Sequence, residues 1–200
     1  MSTLKTGALR GTSGTADSVQ LHASNQSVTF PGAVTITGAL TSSTTGLGKI
    51  LQIVAGTPDT TQRSTTSASW VTASSTINVQ ITPSSASSKI LLLACVTAGT
   101  NDGEDGWAGT IYRDIGGTNT NLGDANAGMV TGKSVSGITG MYNNTTITWI
   151  DSPSTTSQCT YQMYFKLYDN DSDGNTCYIN QPAQGSGQIP GYLHALELAA

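Results

Sequence analysis

Residues 76 to 99 limit what this chain can fold into more than any other stretch. Ile77, Val79 and Ile81 alternate with Thr76, Asn78 and Gln80, the period-two pattern of a strand with one wet face and one dry face. Pro83, which has no N–H to donate, and the serine-rich residues 84 to 88 then stop the ladder and turn the chain back. The run that follows, Ile90 to Val96, is almost wholly apolar but far too short to span a membrane. It reads as a strand buried on both faces, or as one lying at a subunit contact. At about 1.5–3 kcal/mol for each fully buried Leu, Ile or Val, it is the strongest single source of core stabilisation in the sequence.

From Lys49 onward, strand-like runs recur at the spacing of an all-β sandwich. The pattern predicts strands over residues 49 to 55, 69 to 73, 76 to 82, 89 to 98, 107 to 113, 144 to 151, 158 to 168, 175 to 180 and 191 to 199. Helical periodicity is nearly absent. About nine antiparallel strands in this length favour two packed sheets of jelly-roll type. The section from Gly116 to Tyr142 is rich in Gly and Asn and poor in large apolar residues, which predicts long loops or a weak edge strand.

Residues 1 to 46 read as a separate region. Apolar residues come there in twos and threes, as in Val19-Gln-Leu21, Val28-Thr-Phe30 and Val34-Thr-Ile36, with Gly, Ser, Thr and Asn between them. Short strands are expected, yet there is too little apolar bulk to bury a core within one chain. Such a segment gains order by intertwining with copies of itself or by docking on another protein. Its β-branched residues speak against pure disorder. Residues 41 to 48 then resemble a linker into the main domain, residues 47 to 200.

Only 10% of the 200 residues are charged, against about 25% in ordinary soluble domains, and Ser and Thr exceed a quarter of the chain. Twelve acidic against eight basic residues give a net charge of −4, and no Lys/Arg cluster exists to hold a phosphate backbone, so a nucleic-acid partner is not expected. Neither a secretory signal nor a membrane-spanning segment is legible, and membrane insertion is not expected either. Folding in a cytoplasm follows, where Cys95, Cys159 and Cys177 are expected to stay unpaired thiols.

Several stretches invite a chemical reading. In the run from Asp169 to Asn180, Asp169, Asp171 and Asp173 stand at positions one, three and five with Gly174 at six, the oxygen-ligand spacing of a calcium loop. Position twelve is Asn180 instead of a bidentate Glu, and the flanks are strand-like, so the alternative is a polar hairpin tip. Residues 101 to 106 form a second acidic stretch, read as a solvated turn. Gly128 to Ser134 imitates a phosphate loop, but Ala127 stands where its first Gly belongs. His22 and His194 are the only imidazoles and neither neighbours a nucleophile signature. The glutamates Glu104 and Glu197 give a weak carboxylate-pair signal. No catalytic residue is therefore assigned, no cofactor is expected beyond a possible calcium ion, and an enzyme is not expected. Among the aromatics, which default to core packing, Trp107 and Tyr142 border loops and are the candidates for an exposed sugar-stacking surface.

Trp70-Val-Thr-Ala73, Ile81-Thr-Pro-Ser-Ser-Ala-Ser-Ser-Lys-Ile-Leu91, Asp151-Ser-Pro-Ser-Thr-Thr156 ahead of Tyr161-Gln-Met-Tyr-Phe165, and Leu193-His-Ala-Leu-Glu-Leu198 together resemble small fibre and spike proteins of tailed bacteriophages, particularly marine, cyanobacterial ones. The opening Ser2-Thr-Leu-Lys-Thr6 and the Val28-Thr-Phe-Pro-Gly-Ala-Val-Thr-Ile36 beat are similar to their attachment segments. The resemblance implies an N-terminal segment, residues 1 to 46, fixed to other virion proteins, and a homotrimeric knob of tumour-necrosis-factor-like jelly-roll shape. It implies a virion location, assembly in the host cytoplasm and contact with a host-surface glycan. A capsid decoration protein and a stand-alone carbohydrate-binding module are the alternatives.

Overall fold

The computed structural model of the chain describes residues 49–101, 105–133, 141–168, 175–181 and 189–199. The chain divides at Thr45/Gly46, and every described strand belongs to the second unit, Gly46–Ala200. In chain order the strands are β1 (Ile50–Ala55), β2 (Arg63–Thr65), β3 (Val71–Thr72), β4 (Asn78–Ile81), β5 (Lys89–Thr100) and β6 (Gly106–Ile115), followed by β7 (Thr118–Asn121), β8 (Val130–Lys133), β9 (Met141–Asp151), β10 (Cys159–Tyr168), β11 (Cys177–Ile179) and β12 (Tyr192–Leu198). None of the described residues is helical.

The strands form two six-stranded antiparallel sheets, each four rows wide. In the first, β9 and β5 lie side by side, β12 and β11 share the far side of β5, β1 flanks β12 and β2 flanks β11. In the second, β10 and β6 are central, β4 and β3 share the outer side of β10, and β7 and β8 share the outer side of β6. One set of pairings is nested along the chain, β1 with β12, β4 with β10, β5 with β9, and β6 with its neighbours β7 and β8, and the long β5–β12 and β6–β10 ladders join these pairs into the two sheets.

Alternation decides the inside. On β5, Ile90, Leu92, Ala94, Val96 and Ala98 are buried, and from β10 Cys159, Tyr161, Met163, Phe165 and Leu167 meet them, with Ile111, Ile77, Val79, Ile81 and Leu193 completing one core. The opposite side of β5, Leu91, Leu93 and Cys95, is only half-buried. Among the described residues, the apolar run is thus fully buried on one face and half-buried on the other.

Of the two forms expected of the Gly116–Tyr142 section, long loops or a weak edge strand, its described residues take the second. Gly116 and Gly117, with φ of 60° and 89°, make a two-residue turn in which both positions need positive φ, and Thr118–Asn121 folds back on β6. Val130–Lys133 adds a second short edge strand. The differences from expectation are at edges, where Arg63–Thr65 pairs with β11 although no alternation marks it, and the predicted 69 to 73 strand shrinks to Val71–Thr72.

Candidate functional site

Because the core lies between the sheets, the two outer faces are what this unit shows to a partner, and they differ in chemistry. On the first sheet, strand register aligns Ile53, Leu196, Leu91 and Ile150 in one row across β1, β12, β5 and β9. Ile53 is 65% and Ile150 54% exposed, so the row is an apolar stripe open to water at both ends. Leu198 and Leu93 flank it on neighbouring rows. Farther along the same face the residues turn polar. Cys95 donates its thiol to Asn144 Oδ1 at 3.1 Å, Tyr192 stacks on His194 at 4.7 Å, and Tyr142 meets Tyr178 edge-on at 6.2 Å over Gly99, which separates them in register.

The outer face of the second sheet carries no such stripe. One row reads Gln80, Thr160, Asp114 and Asn119 across β4, β10, β6 and β7, and the next reads Asn78, Gln162, Tyr112 and Asn121. Tyr112 and Tyr164, both half-buried, lie diagonally on β6 and β10 with ring centroids 4.2 Å apart and planes tilted by 36°. Burial, with Tyr164 alongside, pushes the Tyr112 phenol above its ordinary pKa. The other end of this face is capped: the 122 to 129 turn hydrogen-bonds to β6 at Gly109 and Ile111, Trp70 donates to Ala125 O at 2.9 Å, and Lys166 Nζ sits 4.7 Å from the centre of the Trp70 ring.

Three buried carboxylates tie the sandwich together. Arg113 on β6 reaches Asp151 at the end of β9, and Tyr161 Oη donates to Asp151 Oδ2 at 2.7 Å. Glu197, fully buried on β12, accepts from Gln52 Nε2 at 2.6 Å and from the Ser84 N–H and Oγ at 2.7 Å. Burial works against its charge, but hydrogen bonds from Ser84, Ser88 and Gln52 outweigh it and hold the carboxyl at about 2. Asp59 is similar: burial opposes its charge, while Ser74, Thr61 and Arg63 hold it at about 2.

Of the residues singled out from sequence, the structure places Trp107 and Tyr142 on different sheets. Trp107 corrects the expectation of an exposed ring, since it is 4% exposed in the core and packs so close to β8 that a Cβ on Gly132 would stand 2.4 Å from its Nε1. Tyr142 is half-buried on the outer face of the other sheet, so the two rings cannot share a ligand. Asp169, Asp171 and Asp173 lie outside the described residues. Asn180, which would close a calcium loop, is buried, and its amide donates to the backbone oxygens of Asp59 and Thr61 at 2.8 and 3.3 Å. Among the described residues, no group of three or more His, Cys, Asp or Glu could hold a metal ion.

The phosphate-loop imitation is a strand: Val130–Lys133 pairs with β6, and Gly128 serves a tight turn. Glu104 and His22 lie outside the described residues, and His194 Nδ1 accepts the Gly56 N–H at 3.1 Å. Tyr112 and Tyr164 stand on the outer face, against the core packing that is the default for aromatics, and the alternation Tyr161-Gln162-Met163-Tyr164 already puts Tyr164 on the side of Gln162.

No protein-family model matches the chain, and no curated protein matches it.

Proposed function

We propose that this protein is a non-enzymatic structural subunit of a tailed-bacteriophage virion, a fibre or spike component in which residues 1 to 46 attach to the particle and residues 47 to 200 form a homotrimeric knob that contacts the host surface. The observation that carries self-association is the Ile53, Leu196, Leu91, Ile150 stripe. A contiguous apolar strip on an outer sheet face is the mark of an interaction surface. The nested pairing of β1 with β12, β4 with β10, β5 with β9 and β6 with β7 and β8 supports a jelly roll, which is a long antiparallel hairpin rolled into two sheets. The virion role rests on the resemblance of the strand and turn segments to phage fibre proteins.

Light scattering on the purified full chain tests the assembly, with three times the chain mass expected and a stable monomer overturning it. Imaging of intact particles with labelled protein tests the place: a few copies at a tail or vertex support a fibre, whereas hundreds over the shell would make it a decoration protein.

A further inference from the structure

The open end of the second sheet's outer face has a composition suited to one kind of ligand. Around the Tyr112 and Tyr164 rings stand Gln80, Gln162, Thr160, Asp114 and Asn119, contributed by β4, β10, β6 and β7. Within these rows the only charge is the Asp114 carboxylate, which accepts the Gly117 N–H at 3.2 Å. Lys166, one row past Tyr164, is buried over the Trp70 ring.

Each macromolecular partner asks for something else. A nucleic acid needs clustered cations, and a protein interface needs an apolar centre, which this molecule carries on its other sheet. Amides and hydroxyls offer paired donors and acceptors without charge, and half-exposed tyrosines offer a flat apolar face with a polar rim. Those are the two features of a pyranose: a C–H face to stack, and equatorial hydroxyls to hydrogen-bond.

We propose that the outward side of the stacked Tyr112–Tyr164 pair is a binding site for a neutral oligosaccharide, with one sugar packed against the pair and the hydroxyls of the chain held along the row by Gln80, Asp114 and Asn119. Gln162 is a positioning residue. Its Nε2 donates to Ser74 O at 2.9 Å, fixing it beside Tyr112, which it faces across the strands. With centroids 4.2 Å apart and planes tilted by 36°, the two rings cover part of each other's faces, so what the pair offers a sugar is its outward side and its phenol rim. This deepens the reading of the knob as a host-contacting element by naming the ligand class and moving the site to the second sheet.

The test is calorimetric titration of the full chain with malto-, cello-, manno- and N-acetylchito-hexaoses, with a sulfated and a sialylated oligosaccharide as charged contrasts. Saturable binding of at least one neutral member is expected, weakened at least about tenfold, or 1.4 kcal/mol, by Tyr112→Ala or Tyr164→Ala. The double variant Gln80→Ala/Asn119→Ala changes two exposed side chains without touching the core and is expected to weaken the same ligand. The proposal is overturned if no neutral member binds at millimolar concentration, if only the charged ones bind, or if binding survives both tyrosine substitutions in folded protein. A monomer by light scattering that still binds sugar through these tyrosines would remove the trimer and leave this site standing.

Discussion

Arg113 Nη1 lies 2.8 and 2.9 Å from the two carboxylate oxygens of Asp151, joining the second sheet to the first through side chains that are 18% and 8% exposed. Tyr161 donates to the same carboxylate, so removing Asp151 strands a cation and a buried hydroxyl together. Asp151→Ala is expected to cost about 3–5 kcal/mol, the range for breaking a buried ion pair from one side. Tyr161→Phe removes one hydrogen bond, for about 1 kcal/mol. Urea unfolding measures both, and a small, equal loss for the two variants would show that the clasp is not a buried pair.

Glu197 sets the acid limit together with Asp59. Both carboxyls are held at about 2, below ordinary values of 4.5 and 3.8. A depressed carboxyl stabilises the fold above its unfolded pKa, and that contribution is lost as pH falls through the interval down to the folded value. Thermal melts are therefore expected to be level above about pH 5 and to fall steeply toward pH 2. In Glu197→Gln the neutral-pH melting temperature drops while the acid slope flattens. An unchanged slope in that variant would mean that the Gln52 and Ser84 hydrogen bonds do not favour the ionised form.

The core was legible in the sequence where it is written in alternation, since the dry face of Ile77 to Ile81 survives intact in the sandwich; Ile90 to Val96 was legible as core by its apolar run, which does not tell that only Ile90, Leu92, Ala94 and Val96 are fully buried. The short edge strands were not, since Thr118–Asn121 and Arg63–Thr65 contain no apolar residue and are held by ladder hydrogen bonds that any sequence can make. The Gly116-Gly117 pair did carry a hairpin signal, drowned by its polar flanks. The outer-face chemistry was hidden for another reason. Whether Ile53 and Ile150 share a row, or Tyr112 stands beside Tyr164, depends on the register of strands far apart in sequence, which no local pattern encodes.

Gly128 is a glycine because of the turn it makes. Its φ is +68°, and a Cβ there would stand 2.5 Å from Gly109 O and 2.6 Å from Trp70 Cη2. Gly128→Ala is expected to destabilise by about 1–3 kcal/mol through backbone strain and overpacking. It should also loosen the turn that caps Trp70, shifting tryptophan emission to the red before global unfolding. Unchanged stability and emission would mean that this turn adopts another conformation.

Thiol reactivity tests the sandwich and the proposed assembly in one experiment. Cys159 and Cys177 are buried between the sheets, and burial raises both thiols, that of Cys177 to about 12, so neither offers a reactive thiolate. Cys95 is half-buried on the outer face of the first sheet, two rows from the Ile53 to Ile150 stripe. In native protein a disulfide reagent is expected to reach Cys95 alone, and only slowly while copies cover that face. Ile53→Asp puts a charge into the stripe, is expected to dissociate the assembly, and should speed the Cys95 reaction at least about tenfold by the same mass action that links folding to association. Reaction of all three thiols at one rate would show a sandwich that opens readily, and equal Cys95 rates in the two proteins would show that no second copy covers this sheet.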